Sequence, residues 1–333
     1  MNMQNRQRVC IVGAGAIGCT LAVRLALSGQ HVSVLARGET LAAIRERGLT
    51  LTDLDGTHIV QVQADNDPAA FGIQDAVFVC TKADALADVL PTLACLIGPE
   101  TVVVPAVNGV PWWYFNHHQG RFANQRIVAV DPQGALCSAL DVRHVIGCVV
   151  YITAQVEAPG IVRAGNPHLM VFGEPKDEIT ARLRVLCSMM GKAGIEARAT
   201  DRIRDTVWAK IIANLTSNPL SVVTGATLQQ IYACEELTPS VLNVLHEALL
   251  VAASYGARVA FDPTTFMKMG ASMGNVRTSM LQDFDAGRPL ELAAIGDAVV
   301  ELGELQGLAM PHTRSILNLA RFRSLSHRSS TRM

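Results

Sequence analysis

An apolar run, Val9-Cys10-Ile11-Val12, leads directly into Gly13-Ala14-Gly15-Ala16-Ile17-Gly18, and a helical pattern then carries the chain from Ala16 to Ser28. Glycines spaced G-x-G-x-x-G between a strand and a helix are the fingerprint of a dinucleotide-binding β-α-β unit. The first glycine allows the tight turn, the second lets the backbone approach a pyrophosphate, and the third lets helix and strand pack closely. The phosphates then sit at the helix N-terminus, where backbone N–H groups lack partners. Gly13, Ala14, Gly15, Ala16, Ile17 and Gly18 are therefore the predicted cofactor loop, and the fold around them is predicted to be a Rossmann-type parallel sheet.

A second strand pattern, His31 to Ala36, ends at Arg37. In such folds the end of this strand lies beside the adenosine ribose, and the residue there selects the cofactor. A carboxylate accepts bonds from a free 2′-hydroxyl, whereas a guanidinium pairs with a 2′-phosphate through charge-assisted bonds. Arg37 points to NADP(H). The plainer alternative is a solvated arginine, with Glu39 as the ribose acid.

Strands and helices keep alternating after this point. A hairpin is predicted around Asp55-Gly56, a buried strand at Asp75–Cys80, a helix at Ala83–Leu96 and another strand at Thr101–Val104 leading to Asn108-Gly109. Beyond Ile127 the texture is β-rich through Phe172, then a helix is expected at Lys176–Ala193 and a strand at Ile195–Ala199, extending the first sheet. From Asp201 the patterns are helical. The reading is an α/β chain with a Rossmann-type N-terminal domain over 1–200, an all-α domain over 201–325 opened by Asp201 as N-cap, and a disordered tail over 326–333.

Length and composition agree with two soluble domains. Of 333 residues 50% are hydrophobic and 17% charged, with a net charge of −1, so no polyanion partner is implied and nucleic-acid binding has no basic footprint. Apolar runs fall short of the ~18 residues a membrane span needs, and the polar start lacks a secretory signal's apolar region, which makes a cytoplasmic protein the default. The eight cysteines form no C-x-x-C pair and read as reduced core residues, while His117-His118 lacks companions at metal spacing. Exposed apolar helix faces in the second domain leave room for a homodimer.

Lys210, Asn214 and Asn218 recur every four residues on one helical stripe, with Pro219 predicted to end that helix. One acid and two amides could grip a small, oxygen-rich molecule, although a solvated polar face is the usual fate of such residues.

Several segments together resemble the ketopantoate reductase (2-dehydropantoate 2-reductase) family over nearly the whole chain: Gly13-x-Gly15-x-x-Gly18, Thr81-Lys82-Ala83, Asn108-Gly109, Trp208 to Asn214 continuing to Asn218-Pro219-Leu220, and Ser279-Met280-Leu281-Gln282-Asp283 with Glu291 twelve residues past the serine. The resemblance implies a C-terminal domain like that of 6-phosphogluconate dehydrogenase, and NADPH-dependent reduction of 2-dehydropantoate to pantoate on the route to coenzyme A. Lys210 is the implied general acid at the ketone oxygen, which gains negative charge as hydride arrives. Glu291 is implied to hold the polar network around the lysine or cofactor, against an ordinary acidic residue at a helix start. Asn214, Asn218 and Ser279 are implied substrate ligands, Asn108 a residue beside nicotinamide and substrate, and Lys82 a nicotinamide-side lysine.

Two departures bear on the substrate. Val107 precedes Asn108 where many relatives carry a polar residue, and Trp112-Trp113-Tyr114-Phe115 follows Gly109, as a short packed helix or as a wall reshaping the pocket. Leu292-Ala293-Ala294 after Glu291 likewise lacks polar groups. A paralogous reductase of another 2-oxo acid uses the same residues. A non-catalytic NADP(H) sensor would need the phosphate loop but not Lys210 with Asn214, Asn218 and Glu291.

Overall fold

A computed structural model describes residues 6–259 and 261–330. Its strands are β1 (Arg8–Val12), β2 (His31–Leu35), β3 (Leu49–Asp53), β4 (Gly56–Val60), β5 (Gln63–Asp65), β6 (Gln74–Val79), β7 (Ile97–Pro105), β8 (Gly147–Val150), β9 (Ala154–Ala158), β10 (Ile161–Ala164), β11 (Leu169–Gly173) and β12 (Glu196–Ala199). Five of them form the expected parallel sheet in the order β5-β2-β1-β6-β7. Its central strands are buried apolar runs, as a sheet covered on both faces requires.

The β-rich segment does not extend that sheet. It builds two others, β4-β3-β10-β9 and β12-β11-β8. Towards β7 there is one isolated bridge, Val103 to Val145, where Ile146 N–H donates to Val103 C=O at 3.0 Å. Beyond it the Trp113 ring lies so close to Gly147 that a Cβ there would come within 2.6 Å of it.

Twelve α-helices are described: α1 (Ala16–Leu27), α2 (Gly38–Arg47), α3 (Leu86–Val89), α4 (Ala135–Ala139), α5 (Ala181–Lys192), α6 (Ile203–Thr224), α7 (Leu228–Ala233), α8 (Thr238–Ser254), α9 (Pro263–Ser272), α10 (Ser279–Asp285), α11 (Ala298–Leu305) and α12 (Pro311–Ser330). The single helix expected at 83–96 is broken into a 3-10 turn, α3 and a second 3-10 segment, because Pro91 lacks an N–H to continue the ladder. Its apolar face survives, with Leu86, Val89, Leu90, Leu93 and Leu96 all buried. The run from Trp112 to Phe115 is neither a helix nor a pocket wall open to solvent. It is a series of turns whose four rings are at most 3% exposed.

The chain divides into two compact units with the main crossing at Ile203–Arg204. Two short segments change sides: Asn108–Trp112 and Arg126–Gln133 group with the helical unit. There, Glu301 in α11 accepts the N–H groups of Val128 and Ala129, both at 2.7 Å. Asp201 does not cap α6, which begins two residues later at Ile203. Nor does Pro219 end it. The helix runs on to Thr224, because its buried flank from Leu215 through Val222 outweighs the roughly 3 kcal/mol that an internal proline costs. The last helix, α12, continues through Ser330, past the expected start of the tail at 326, and 331–333 lie outside the described residues. Among the described residues no helix is long and apolar enough to cross a membrane. All eight cysteines are free thiols, and burial pushes Cys10 and Cys19 up to about 12, which keeps them protonated.

A buried ionic knot fastens α1 to the β3–β4 hairpin. Arg24 reaches Asp53 at 2.5 Å and Asp55 at 2.7 Å, and His168 Nε2 lies 3.0 Å from the same Asp53 carboxylate, whose side chain is fully enclosed. Burial pushes the Asp53 pKa up, but hydrogen bonds from His168 and the Asp55 N–H, with the Arg24 charge, outweigh it and hold the carboxyl below its ordinary 3.8. A carboxyl depressed on folding stabilises the native state above pH 3.8, and that contribution disappears as pH falls through the folded value. Asp53→Asn is therefore expected to lower stability by about 2 kcal/mol near neutral pH, since it leaves a buried cation half-paired. The deficit should vanish on acidification below the folded pKa. Urea melts of both proteins at pH 7 and at pH 3, already under the ordinary 3.8, should show the deficit shrinking, and a deficit independent of pH would refute it.

Candidate functional site

The glycine loop lies where β1 turns into α1. Gly15 occupies the N-cap position with no side chain bonded to the first turn, and that turn carries no acid. Its N–H groups are thus left for an anion. A Cβ on Gly18 would stand 1.9 Å from the Gly13 carbonyl oxygen, so only glycine lets the helix start this close to the strand. A Cβ on Gly15, in contrast, would meet nothing within 4 Å, which leaves open space above the loop. Ala14, Ala16 and Ile17 complete the loop and are partly buried.

Because β2, β1 and β6 are adjacent and parallel, their carboxyl ends share one edge of the sheet. That edge brings three predicted residues or segments together. Arg37 is exposed after β2, at the N-cap position of α2, and Lys82 is exposed after β6 at the start of a 3-10 turn. Thr81, between β6 and Lys82, comes within 3.0 Å of a Cβ built on Gly13, and its enclosed hydroxyl has no hydrogen-bond partner among the described residues. An open cradle, free helix N–H groups, an orphaned hydroxyl and a nearby guanidinium fit a phosphorylated dinucleotide.

In the helical unit, Lys210 and Asn214 are half-buried on α6 and Asn218 is 4% exposed. Burial lowers the Lys210 pKa from its ordinary 10.5, which brings an ammonium closer to the range where it can give up a proton. The amide of Asn218 has Ser217 Oγ 3.3 Å from Oδ1, but Nδ2 has no partner among the described residues. An enclosed amide N–H without an acceptor is costly unless a ligand oxygen supplies one.

Two further hydroxyls, not picked out by the sequence reading, bring α10 to this stripe. Ser221, three residues past Asn218, donates to the Asn218 carbonyl at 2.6 Å, and its Oγ lies 2.6 Å from Thr278 Oγ1. Thr278 is the N-cap of α10, accepting the Leu281 N–H at 3.1 Å, so the exposed Ser279 beside it is the first residue of that helix. The signal was present: a threonine ahead of an apolar helical run is an N-cap signature.

Asn108 and Glu291 are joined through a second link. Glu291 is buried and immediately precedes the helix that starts at Leu292, whose first turn is a π-turn over Ala293–Asp297. Val110 N–H donates to the Ala294 carbonyl at 2.8 Å, which docks the half-buried Asn108 segment onto the helix that Glu291 opens. Among the described residues no group of three or more His, Cys, Asp or Glu side chains is arranged to hold a metal ion.

Comparison with known proteins follows this division. The ketopantoate reductase PanE/ApbA model matches residues 9–177, and the model of the same family's C-terminal region matches residues 202–324. The chain belongs to the ketopantoate reductase family. It is 38% identical over 315 residues to a 2-dehydropantoate 2-reductase of Mesorhizobium japonicum, covering 94% of this chain and 97% of that protein. A crystal structure from Ralstonia solanacearum MolK2, ascribed to the same reductase family, superimposes with a TM-score of 0.92 at 40% identity over 97% of this chain and 99% of its own. The 2-dehydropantoate 2-reductase of Geobacter metallireducens GS-15 gives 0.83 at 25% identity, covering 94% and 99%. This ketopantoate reductase family member is thus an oxidoreductase with a Rossmann-type domain and a helical domain. Its aromatic run, the feature that stood out from the family pattern, belongs to the core: Tyr114 meets Phe115 edge-on at 5.0 Å and Phe115 stacks on Phe122 at 5.6 Å.

Proposed function

We propose that the chain reduces 2-dehydropantoate to pantoate with NADPH, in the cytoplasm, as a step of pantothenate and coenzyme A synthesis. The observation that carries this reading is the α6 stripe, a lysine with a lowered pKa followed by an amide whose N–H lacks an acceptor. When bound, the nicotinamide supplies a hydride to the ketone carbon. Lys210 then gives its ammonium proton to the carbonyl oxygen, which would otherwise carry the developing negative charge. Asn218 donates through its unpartnered Nδ2 to a substrate oxygen, Asn214 orients a second, and Ser279 donates to the carboxylate. Holding these groups in place turns proton transfer into a step within one complex.

Glu291 stabilises the lysine's charge against desolvation, and Asn108 bonds substrate and nicotinamide. On the cofactor side Gly13 to Gly18 take the pyrophosphate, Arg37 the 2′-phosphate, and Lys82 the nicotinamide side. The relatives named 2-dehydropantoate 2-reductase support the substrate, and the buried position of Trp112 to Phe115 removes one ground for choosing another 2-oxo acid.

Oxidation of NADPH, followed by its absorbance, tests cofactor and substrate together. With 2-dehydropantoate kcat/KM should exceed that for a 2-oxo acid lacking the hydroxyl by about 10²-fold or more, because a site built to bond a hydroxyl strongly rejects the analogue without it. Equal rates across the panel would move the assignment to a broader 2-oxo acid reductase. Absence of turnover with every acid would leave a cofactor-binding sensor.

A further inference from the structure

The helix that follows Glu291 opens with a π-turn over Ala293–Asp297. In an α-helix the Ala298 N–H would reach back four residues to the Ala294 carbonyl. Here it donates to Ala293, five residues back, while Ile295 still donates to Glu291 C=O at 3.1 Å. The widened turn turns the Ala294 carbonyl towards a partner outside the helix, and Val110 N–H fills that place at 2.8 Å. Gly109 makes the approach feasible. Its φ is +93°, and a Cβ there would stand 2.5 Å from the Ala294 oxygen and 2.6 Å from its carbonyl carbon. The other side of the same turn is pinned to α12: a Cβ on Gly296 would overlap Leu317 at 2.3 Å, and Arg321 holds Asp297 with two bonds of 2.8 and 2.9 Å.

We infer that this π-turn is a positioning element for the reaction, fixing Asn108 relative to Glu291 through the Gly109–Ala294 contact. It rests on the proposed roles of Asn108 and Glu291. Single-turn π segments arise where a helix carries one extra residue, and they concentrate at functional sites. The extra residue here creates a carbonyl acceptor for the backbone at Val110. Gly109 and Ala294 touch neither substrate nor cofactor in this scheme and act through Asn108.

The test is a double-mutant cycle on Asn108→Ala and Gly109→Ala, read as kcat and KM for the ketone, with Gly256→Ala as control. Gly256 also has a positive φ of +74° but open space around it, so the control carries backbone strain without touching the turn. Gly109→Ala is expected to lower kcat about tenfold or more, since small misplacements of a positioning group have effects of that order. In the Asn108→Ala background the same change should alter kcat by less than about twofold, because residues acting as a unit are non-additive. The control should melt lower yet keep wild-type kinetics.

Additive losses, or wild-type kinetics for Gly109→Ala beside an impaired Asn108→Ala, would overturn the positioning role and leave the reading of Asn108 intact. A silent Asn108→Ala would overturn both. If Gly109→Ala does not yield folded protein, Ala294→Val crowds the same contact from the helix side and is judged by the same cycle.

Discussion

Replacing Lys210 with alanine is expected to lower kcat for ketone reduction by about 10²–10⁴, the range typical of a lost general acid, while NADPH still binds. The argument starts from burial. Lys210 is half-enclosed on α6, and desolvation lowers its pKa below 10.5. A general acid works only while protonated, so the wild-type rate should fall as pH rises through that lowered value. The alkaline limb of the kcat profile therefore lies below pH 10.5 and should be absent in the alanine variant. Lys210→Arg sharpens the test, since a guanidinium keeps the charge but does not release a proton in this range. It should bind substrate and fail in turnover. Titration of NADPH fluorescence provides the binding control, and undiminished turnover in Lys210→Ala would sink the mechanism.

Arg37→Ala should weaken NADPH by about 10–100-fold and leave NADH nearly unchanged, because a hydrogen bond to a charged group contributes roughly 1.5–3 kcal/mol and only NADPH carries the 2′-phosphate. The side chain is exposed at the end of β2, so the effect should shrink as salt is raised. Dissociation constants for both nucleotides at low and high ionic strength measure it. Equal losses for the two cofactors would mean that the phosphate is held elsewhere, and the ribose reading of Glu39 would then be the one to pursue.

What could be read from residue order alone was what depends on neighbours in sequence. Gly13 to Gly18, Arg37 and the four-residue spacing of Lys210, Asn214 and Asn218 are local patterns, and the structure sets the first two on one sheet edge and the last three on one helix. Pro219 departs from its expected role for the same reason. The rule that proline ends a helix is local, whereas the packing of Leu215 to Val222 that overrides it is tertiary. At Pro91 the outcome is the opposite: the helix breaks there although Leu86, Val89, Leu90, Leu93 and Leu96 stay buried, so packing keeps the apolar face without restoring the missing bond. Nothing in the order of residues announces a π-turn, because one extra residue in a helix leaves no compositional trace. The regrouping of Asn108–Trp112 with the helical unit is equally invisible, since it depends on Ala294, far away in the chain.

That regrouping governs how such proteins can be recombined. A chimera joined at residue 200 takes Val110 from one parent and Ala294 from the other, and likewise divorces the Val128 and Ala129 amides from the carboxylate of Glu301. Exchange of specificity between relatives therefore has five joints rather than one, with residues 108–112 and 126–133 inherited together with the C-terminal half. Natural drift faces the same constraint, so these two short insets should change in step with the helices they serve rather than with the nucleotide-binding strands that flank them.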